Sequence, residues 1–223
     1  MANDTQPTGS PRERIIAAFM GLLSEKSIER IGLPEIAKRA EVPLAEVRGE
    51  FGSTIAILAA HTKEIDRAVL RGGDGDMAQE PERERLFDVL MRRIEALAPH
   101  RQAVLSLMHS AARNPPLAIA LNGLAVQSQQ WMLAAADISA SGPKGMLRAQ
   151  GLALLYASVL RTWLNDTDPG LARTMAALDS ALARGQRWSN LLDDVLSVPS
   201  RLCPTRTRRP PRRDDAGEET IAA

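Results

Sequence analysis

A chain of 223 residues has room for one large domain or for a small domain joined to a medium one, and 44% apolar with 25% charged residues supports a substantial core. Aromatics make up only 3% against abundant Ala and Leu, which favours an all-α chain, because Ala and Leu lose little on entering a helix. A net charge of +1 excludes a global basic field, so any nucleic-acid surface must be local, and the lone Cys203 excludes an intramolecular disulfide and a cysteine-built zinc site.

Residues 1–10 read as a disordered leader, polar and without the apolar stretch of a signal peptide. Ser10 can N-cap a first helix with Pro11 in its first turn. That helix runs from about Arg12 to Glu25, with Ile15, Ile16, Phe19, Leu22 and Leu23 on one face. A second helix is predicted over Leu33–Ala40, burying Leu33, Ile36, Ala37 and Ala40. A third is predicted over Leu44–Phe51, burying Val47 and Phe51. The fourth starts at Ser53 and carries Ile55, Leu58, Ile65 and Leu70. The turn-rich RGGDGD, residues 71–76, marks a domain boundary.

Beyond that break, Pro81–Ala98 places Leu86, Val89, Leu90, Ile94 and Leu97 on one face. Pro99 opens another helix through Val104, Leu105 and Met108, ending near Asn114-Pro115-Pro116. Leu117–Ile138 and Met146–Leu164 are apolar around most of their circumference, which predicts helices buried on several sides. SGPKG separates these two, and NDTDPG separates the second from Leu171–Leu196. The most apolar run, Gly151–Leu160, falls short of the roughly 20 residues a membrane span needs, so a soluble, cytoplasmic chain is expected. After Pro199 the chain turns Arg- and Pro-rich and then acidic, TRTRRPPRRDDAGEE, and is expected to be a disordered, solvated tail. The expected organisation is a leader (1–10), a helix-turn-helix domain (11–70), a helical bundle (77–198) and a tail (199–223).

Two short helices joined by a tight turn and followed by a longer one suggest a helix-turn-helix, whose second helix enters the major groove. The segment RERIIAAFMGLLSEKSIERIGLPEIAKRAEVPLAEVRGEFGSTIAIL, residues 12–58, resembles the tetracycline-repressor (TetR) family. The carriers are Ile16, Ala17, Ala18 and Leu22, then Ile36-Ala37, Ala40-x-Val42, and Phe51-Gly52-Ser53 before Leu58. Most are core positions. The resemblance implies an N-terminal DNA-binding domain, then a bundle that binds a small apolar or amphipathic ligand and forms a homodimer. It also implies that the last two long helices, Ala149–Leu164 and Leu171–Leu182, pair across the dimer, where the small side chains of Ala149, Gly151, Ala153, Ala157 and Ser158 suit close approach.

The implied DNA-contacting positions carry atypical residues. The family pattern has glycine where Glu41 stands, an aromatic at Arg48, histidine or a similar residue at Glu50, and lysine at Thr54. The candidate contacts are therefore Pro43, Leu44, Glu46, Arg48, Glu50 and Thr54, with Lys38 and Arg39 behind them. Between Leu33 and Thr54 the cations Lys38, Arg39 and Arg48 face Glu35, Glu41, Glu46 and Glu50, a net of −1. DNA affinity rests largely on phosphate neutralisation, so this helix needs basic support from Arg12, Arg14 or the tail arginines. Arg48 reads either as a base or phosphate contact or as a solvated arginine paired with Glu46 or Glu50. Lys38 and Arg39 either meet phosphate or complement the negative end of their own helix.

His61, His100 and His109 share no metal-ligand spacing, and no phosphate loop, nucleophile motif or catalytic carboxylate pair stands out, so neither enzyme nor cofactor is expected. Met91, Met108, His109, Trp131, Met132 and Tyr156 are candidate lining for an adaptable apolar pocket, with ordinary core as the plainer reading of each. Two functions follow. One is a ligand-responsive regulator, expected to be a repressor. The other is a TetR-fold protein that has lost DNA binding and binds a lipid or quinone-like molecule as an accessory factor. LLYASVLRTWLNDTDPGLARTMAALDSALARG loosely resembles the C-terminal region of ubiquinone-biosynthesis accessory proteins of that fold.

Overall fold

The computed structural model describes residues 9–73, 77 and 79–197, with side chains to residue 185. The expected leader up to Thr8, Asp74–Asp76 of the turn-rich break, Cys203 and the tail lie outside the described residues. Helix α1 spans Pro11–Glu25, and its start follows from local chemistry. Ser10 Oγ accepts from the Glu13 N–H at 3.3 Å while the Glu13 carboxylate accepts from the Ser10 N–H at 2.9 Å, a reciprocal capping box with Pro11 behind it. A short 3-10 turn over Ile28–Arg30, absent from the sequence reading, buries Ile28 before α2 (Leu33–Ala40). Helix α3 covers Leu44–Glu50, one residue shorter than expected, because Phe51 turns extended and its N–H closes the last turn on the Val47 carbonyl at 2.8 Å. Helix α4, Thr54–Arg71, is capped by Ser53 Oγ accepting from the Ala56 N–H at 3.1 Å.

The remaining helices are α5 (Glu82–Leu97), α6 (Arg101–Ala111), α7 (Pro115–Ala135), α8 (Gly142–Leu164) and α9 (Ala172–Ser197). No strand occurs among the described residues. A 3-10 turn over Ala98–His100 links α5 to α6, so the break at Pro99 is a tightening of the helix rather than a loop. SGPKG is not simply a spacer. Gly142, in the left-handed region at φ 67°, opens α8, and Gly145 lies so close to the Ala140 backbone that a Cβ would stand 2.0 Å from its carbonyl carbon. The NDTDPG loop is pinned by two aspartates. Asp166 Oδ2 accepts from the Thr174 N–H at 2.9 Å and hydroxyl at 2.7 Å, and Asp168 Oδ2 accepts from the Ala172 N–H at 3.0 Å, so both hold the start of α9.

Within residues up to Arg187, two hydrophobic clusters share α4. The first joins Ile15, Phe19 and Leu23 of α1 to Ile36, Val47, Phe51 and Ile57, closed by Ala103 and Leu107 of α6 and Leu117 of α7. The second joins Ile65 and Val69 of α4 to Leu90, Ile94, Met132, Tyr156, Trp163 and Leu178. Helix α4 thus enters one cluster with its first half and the other with its second. Residues 188–197, the described part of a second small unit, are helical.

The expected burial of α7 and α8 on several sides is not met within one chain. Ile119 is 74% exposed and Leu154 61%, and Met146 and Leu147 are also exposed. Helix α8 packs along α7 on one side, and the apolar residues on its other side find no partner among the described residues. Leu70, in the last turn of α4, is also exposed.

Candidate nucleic-acid interface

The turn and third helix are held from inside. Ala40, Val42, Val47 and Phe51 are buried, which fixes α3 against α1 and α2 and leaves Pro43, Leu44, Arg48 and Glu50 exposed, with Glu46 and Thr54 half-buried. Glu41 closes α2 in the left-handed region at φ 55° and ψ 43°. The Val42 N–H reaches back to the Ala37 carbonyl at 3.1 Å, a reversal that glycine makes without strain. Glu41→Gly is therefore expected to stabilise the protein by roughly 0.5–1 kcal/mol, read as a higher urea midpoint at unchanged m-value. An unchanged or lower midpoint would mean that the Glu41 side chain offsets its backbone strain.

Tertiary pairing redistributes the charge. Arg12 donates to Glu50 at 3.2 Å, and its guanidinium lies 4.8 Å from the Phe51 ring centroid. Arg14 donates to the Glu41 carbonyl at 3.3 Å, Lys26 pairs with Glu35 at 2.5 Å, and Arg39 pairs with Glu25. Among the described residues, Lys38 and Arg48 keep no ion-pair partner. Arg48 is thus not tied to either neighbouring glutamate, because Glu50 is held by an arginine 38 positions away. Pairs as exposed as Arg12–Glu50 and Arg39–Glu25 each contribute at most about 1 kcal/mol, so a phosphate can compete for those arginines.

The candidate pocket residues do not gather in one place. Met132 and Tyr156 are buried in the second cluster, with Met91 partly buried against it. Trp131 is 55% exposed, although it lies on α7 next to the buried Met132. His109 is exposed and lines an open, polar groove of about 680 Å³ between the end of α1 and α6, together with Lys26, Glu29 and Arg113. Met108 is half-buried on α6, outside both clusters.

Around Tyr156 the structure places a polar group that the sequence reading missed. Asp66 of α4 forms a buried ion pair with Arg93 of α5, and Ser128 Oγ of α7 donates to Asp66 Oδ1 at 2.7 Å. The Arg93 guanidinium lies 5.8 Å from the centre of the Tyr156 ring. Burial pushes the Tyr156 phenol well above its ordinary range, so it stays neutral. Tyr156 Oη, Arg93 Nε and Gln129 Oε1 are buried without a hydrogen-bond partner among the described residues. Close by, His61 meets His100 edge-on, with ring centroids 4.4 Å apart. Burial first, then the His100 and Arg93 charges, bring His61 down to about 4. A signal for these residues was available. Arg93 interrupts the stripe of Val89, Leu90, Ile94 and Leu97, and His61 and Asp66 interrupt that of Ile57, Ile65 and Val69. A charge in mid-stripe implies a buried partner on the facing helix.

No protein-family model matches this sequence. No curated protein matches it either. The fold does have solved relatives. A TetR transcriptional regulator from Nitrosomonas europaea, 21% identical, matches over 80% of this chain and 99% of its own at a TM-score of 0.62. One from Rhodococcus sp. RHA1, also 21% identical, matches over 78% and 95% at 0.54. A transcriptional regulator from Streptomyces coelicolor A3(2), described as putative, is 23% identical and matches over 79% and 98% at 0.52. Together with the buried turn, the exposed third helix and the long α4 that joins two clusters, these likenesses give the chain the fold of the TetR transcriptional regulators.

Proposed function

We propose that the protein is a ligand-responsive transcriptional repressor that binds DNA as a homodimer. In this reading residues 11–70 are the DNA-binding domain and residues 77–198 the ligand-binding and dimerisation domain. The observation that supports it is the exposed Arg48 on α3 and Lys38 on α2, both without an ion-pair partner among the described residues, on a helix pair whose core is built. Pro43, Leu44, Glu46, Glu50 and Thr54 complete the reading surface, and Arg39 supports it. A glutamate there can accept from cytosine N4, so Glu46 or Glu50 supplies sequence preference rather than affinity. The exposed apolar residues Leu147 and Leu154 of α8 and Met175 of α9 supply the dimer face. Ligand in the second domain acts through α4, changing the spacing of the two α3 helices so that both no longer fit successive half-sites.

Electrophoretic mobility shift with DNA from upstream of its own gene tests this reading; no shift at low salt sinks it. Arg48→Ala is expected to weaken specific binding by roughly 1–3 kcal/mol, about 5- to 150-fold, with far less effect on non-specific DNA. Equal loss on both DNAs would make Arg48 a phosphate contact instead.

A second reading is favoured by the internal pairing of Arg12, Lys26 and Arg39, which leaves α3 with little phosphate-binding charge. In it, the protein has lost DNA binding and holds a lipid or quinone-like molecule as an accessory factor. A quinone-like lipid then raises the melting temperature while DNA leaves it unchanged, whereas under the first reading DNA raises it.

A further inference from the structure

A groove of about 570 Å³ runs between α4 and α7, reaching Arg12 of α1 and Glu50–Phe51 at the end of α3. That volume lies in the range of small-molecule sites. It is separate from the core around Met132 and meets the buried polar group only at Asp66 and Ser128. Its apolar surface comes from Phe51, Ala59, Leu70, Leu124 and Trp131, of which Trp131 is 55% and Leu70 38% exposed. A half-exposed indole and an exposed leucine offer an apolar wall that none of the described residues covers.

The charge in the groove is uneven. Both carboxylates that line it are already neutralised, Glu50 by Arg12 at 3.2 Å and Asp66 by Arg93 with Ser128. Lys63 and Arg67, one turn apart on α4, line it as exposed cations without an ion-pair partner among the described residues. Glu64, next to them on α4, is close enough to feel Arg67 and Arg12, and offsets only part of this charge. An apolar wall with one surplus positive charge matches an apolar body with one anionic head.

We propose that this groove binds a small amphipathic anion, its aromatic or aliphatic body against Trp131 and Leu70 and its anionic head at Lys63 and Arg67. Such an occupant touches both Phe51, at the end of α3, and Trp131, on α7. It therefore links the end of α3 to α7 from outside. Its effect on DNA rests on the regulator reading above, whereas its binding does not.

The test uses the full-length protein without DNA and two dyes with the same aromatic body. One is 8-anilino-1-naphthalenesulfonate, an anion, and the other is N-phenyl-1-naphthylamine, which is neutral. The anion is expected to bind once per chain, more tightly than the neutral dye. The double variant Lys63→Gln/Arg67→Gln, two exposed positions that leave the core intact, is expected to weaken the anion about tenfold and leave the neutral dye unchanged. Trp131→Ala is expected to weaken both dyes. Unchanged affinity of the anion in the double variant overturns the proposal, as does equal affinity for the two dyes. Absence of dye binding, with Trp131→Ala lowering the oligomeric state, also overturns it and assigns the groove to a second copy of the chain. Dye binding by a protein that shifts no DNA leaves the groove standing and removes only the regulator reading.

Discussion

Arg93→Met is expected to destabilise the protein by about 3–5 kcal/mol, the largest effect of any single substitution considered. The physical reason is asymmetric. Asp66 and Arg93 sit on facing helices with side chains only 9% and 7% exposed, and each neutralises the other. Removing the guanidinium leaves the Asp66 carboxylate buried with only the Ser128 hydroxyl, a hydrogen bond that cannot replace a full opposite charge. The vacated space beside Tyr156 adds a packing loss. Replacing both partners, as in Asp66→Leu/Arg93→Met, is expected to cost far less than the two single changes together, because no charge is then stranded. Urea denaturation of the four proteins gives the coupling directly. A single-variant loss below about 1 kcal/mol would show the pair to be as screened as one on the surface.

Stability is also expected to fall by up to about 3 kcal/mol between pH 6.5 and pH 4, through His61 alone. In the folded protein this imidazole is down at about 4, against 6.5 for the ordinary group. As pH falls below 6.5 the unfolded chain takes up a proton that the folded chain refuses, so the unfolded state gains. Above 6.5 both forms are neutral and the difference is constant. The cause is geometric. His61 is buried on α4, its Nε2 has no partner, His100 faces it at 4.4 Å, and Arg93 adds a like charge. His100 is itself lowered by burial and works in the same direction. Carboxylates also titrate in the lower part of this window, so the informative quantity is the difference between the native protein and His61→Gln. Chemical denaturation at several pH values is expected to give a shallower decline for His61→Gln. Parallel curves would mean that His61 takes up its proton in the folded state.

The helices were largely legible because each rests on local rules. Ser10 with Glu13, the stripe through Ile15 and Phe19, and Ser53 before α4 are readable within a few residues. Glu41 is the clearest case. The family pattern has glycine there, and the backbone at Glu41 is left-handed, so the strain was visible from one residue in its context. The misreadings occurred where chemistry within four residues does not decide. Gly142 and Gly145 looked like a linker, yet they start α8 because Ala140 packs directly against Gly145. The apolar circumference of α7 and α8 suggested burial, but the described residues supply partners for only part of it.

The sequence by itself determined the all-helical class, the order of the helices and the inward faces of the helix-turn-helix, because capping and 3.6-residue periodicity act over one or two turns. Tertiary structure alone decided which charges remain free. Glu50 is adjacent in sequence to Gly49 and Phe51, yet its charge is taken by Arg12, leaving Arg48 exposed to solvent. The same holds for Asp66, Arg93 and Ser128, which lie up to 62 positions apart and become one buried group only when α4, α5 and α7 pack. Coulomb energy depends on distance in space and on the solvent between charges, and neither quantity is written in the order of residues along the chain.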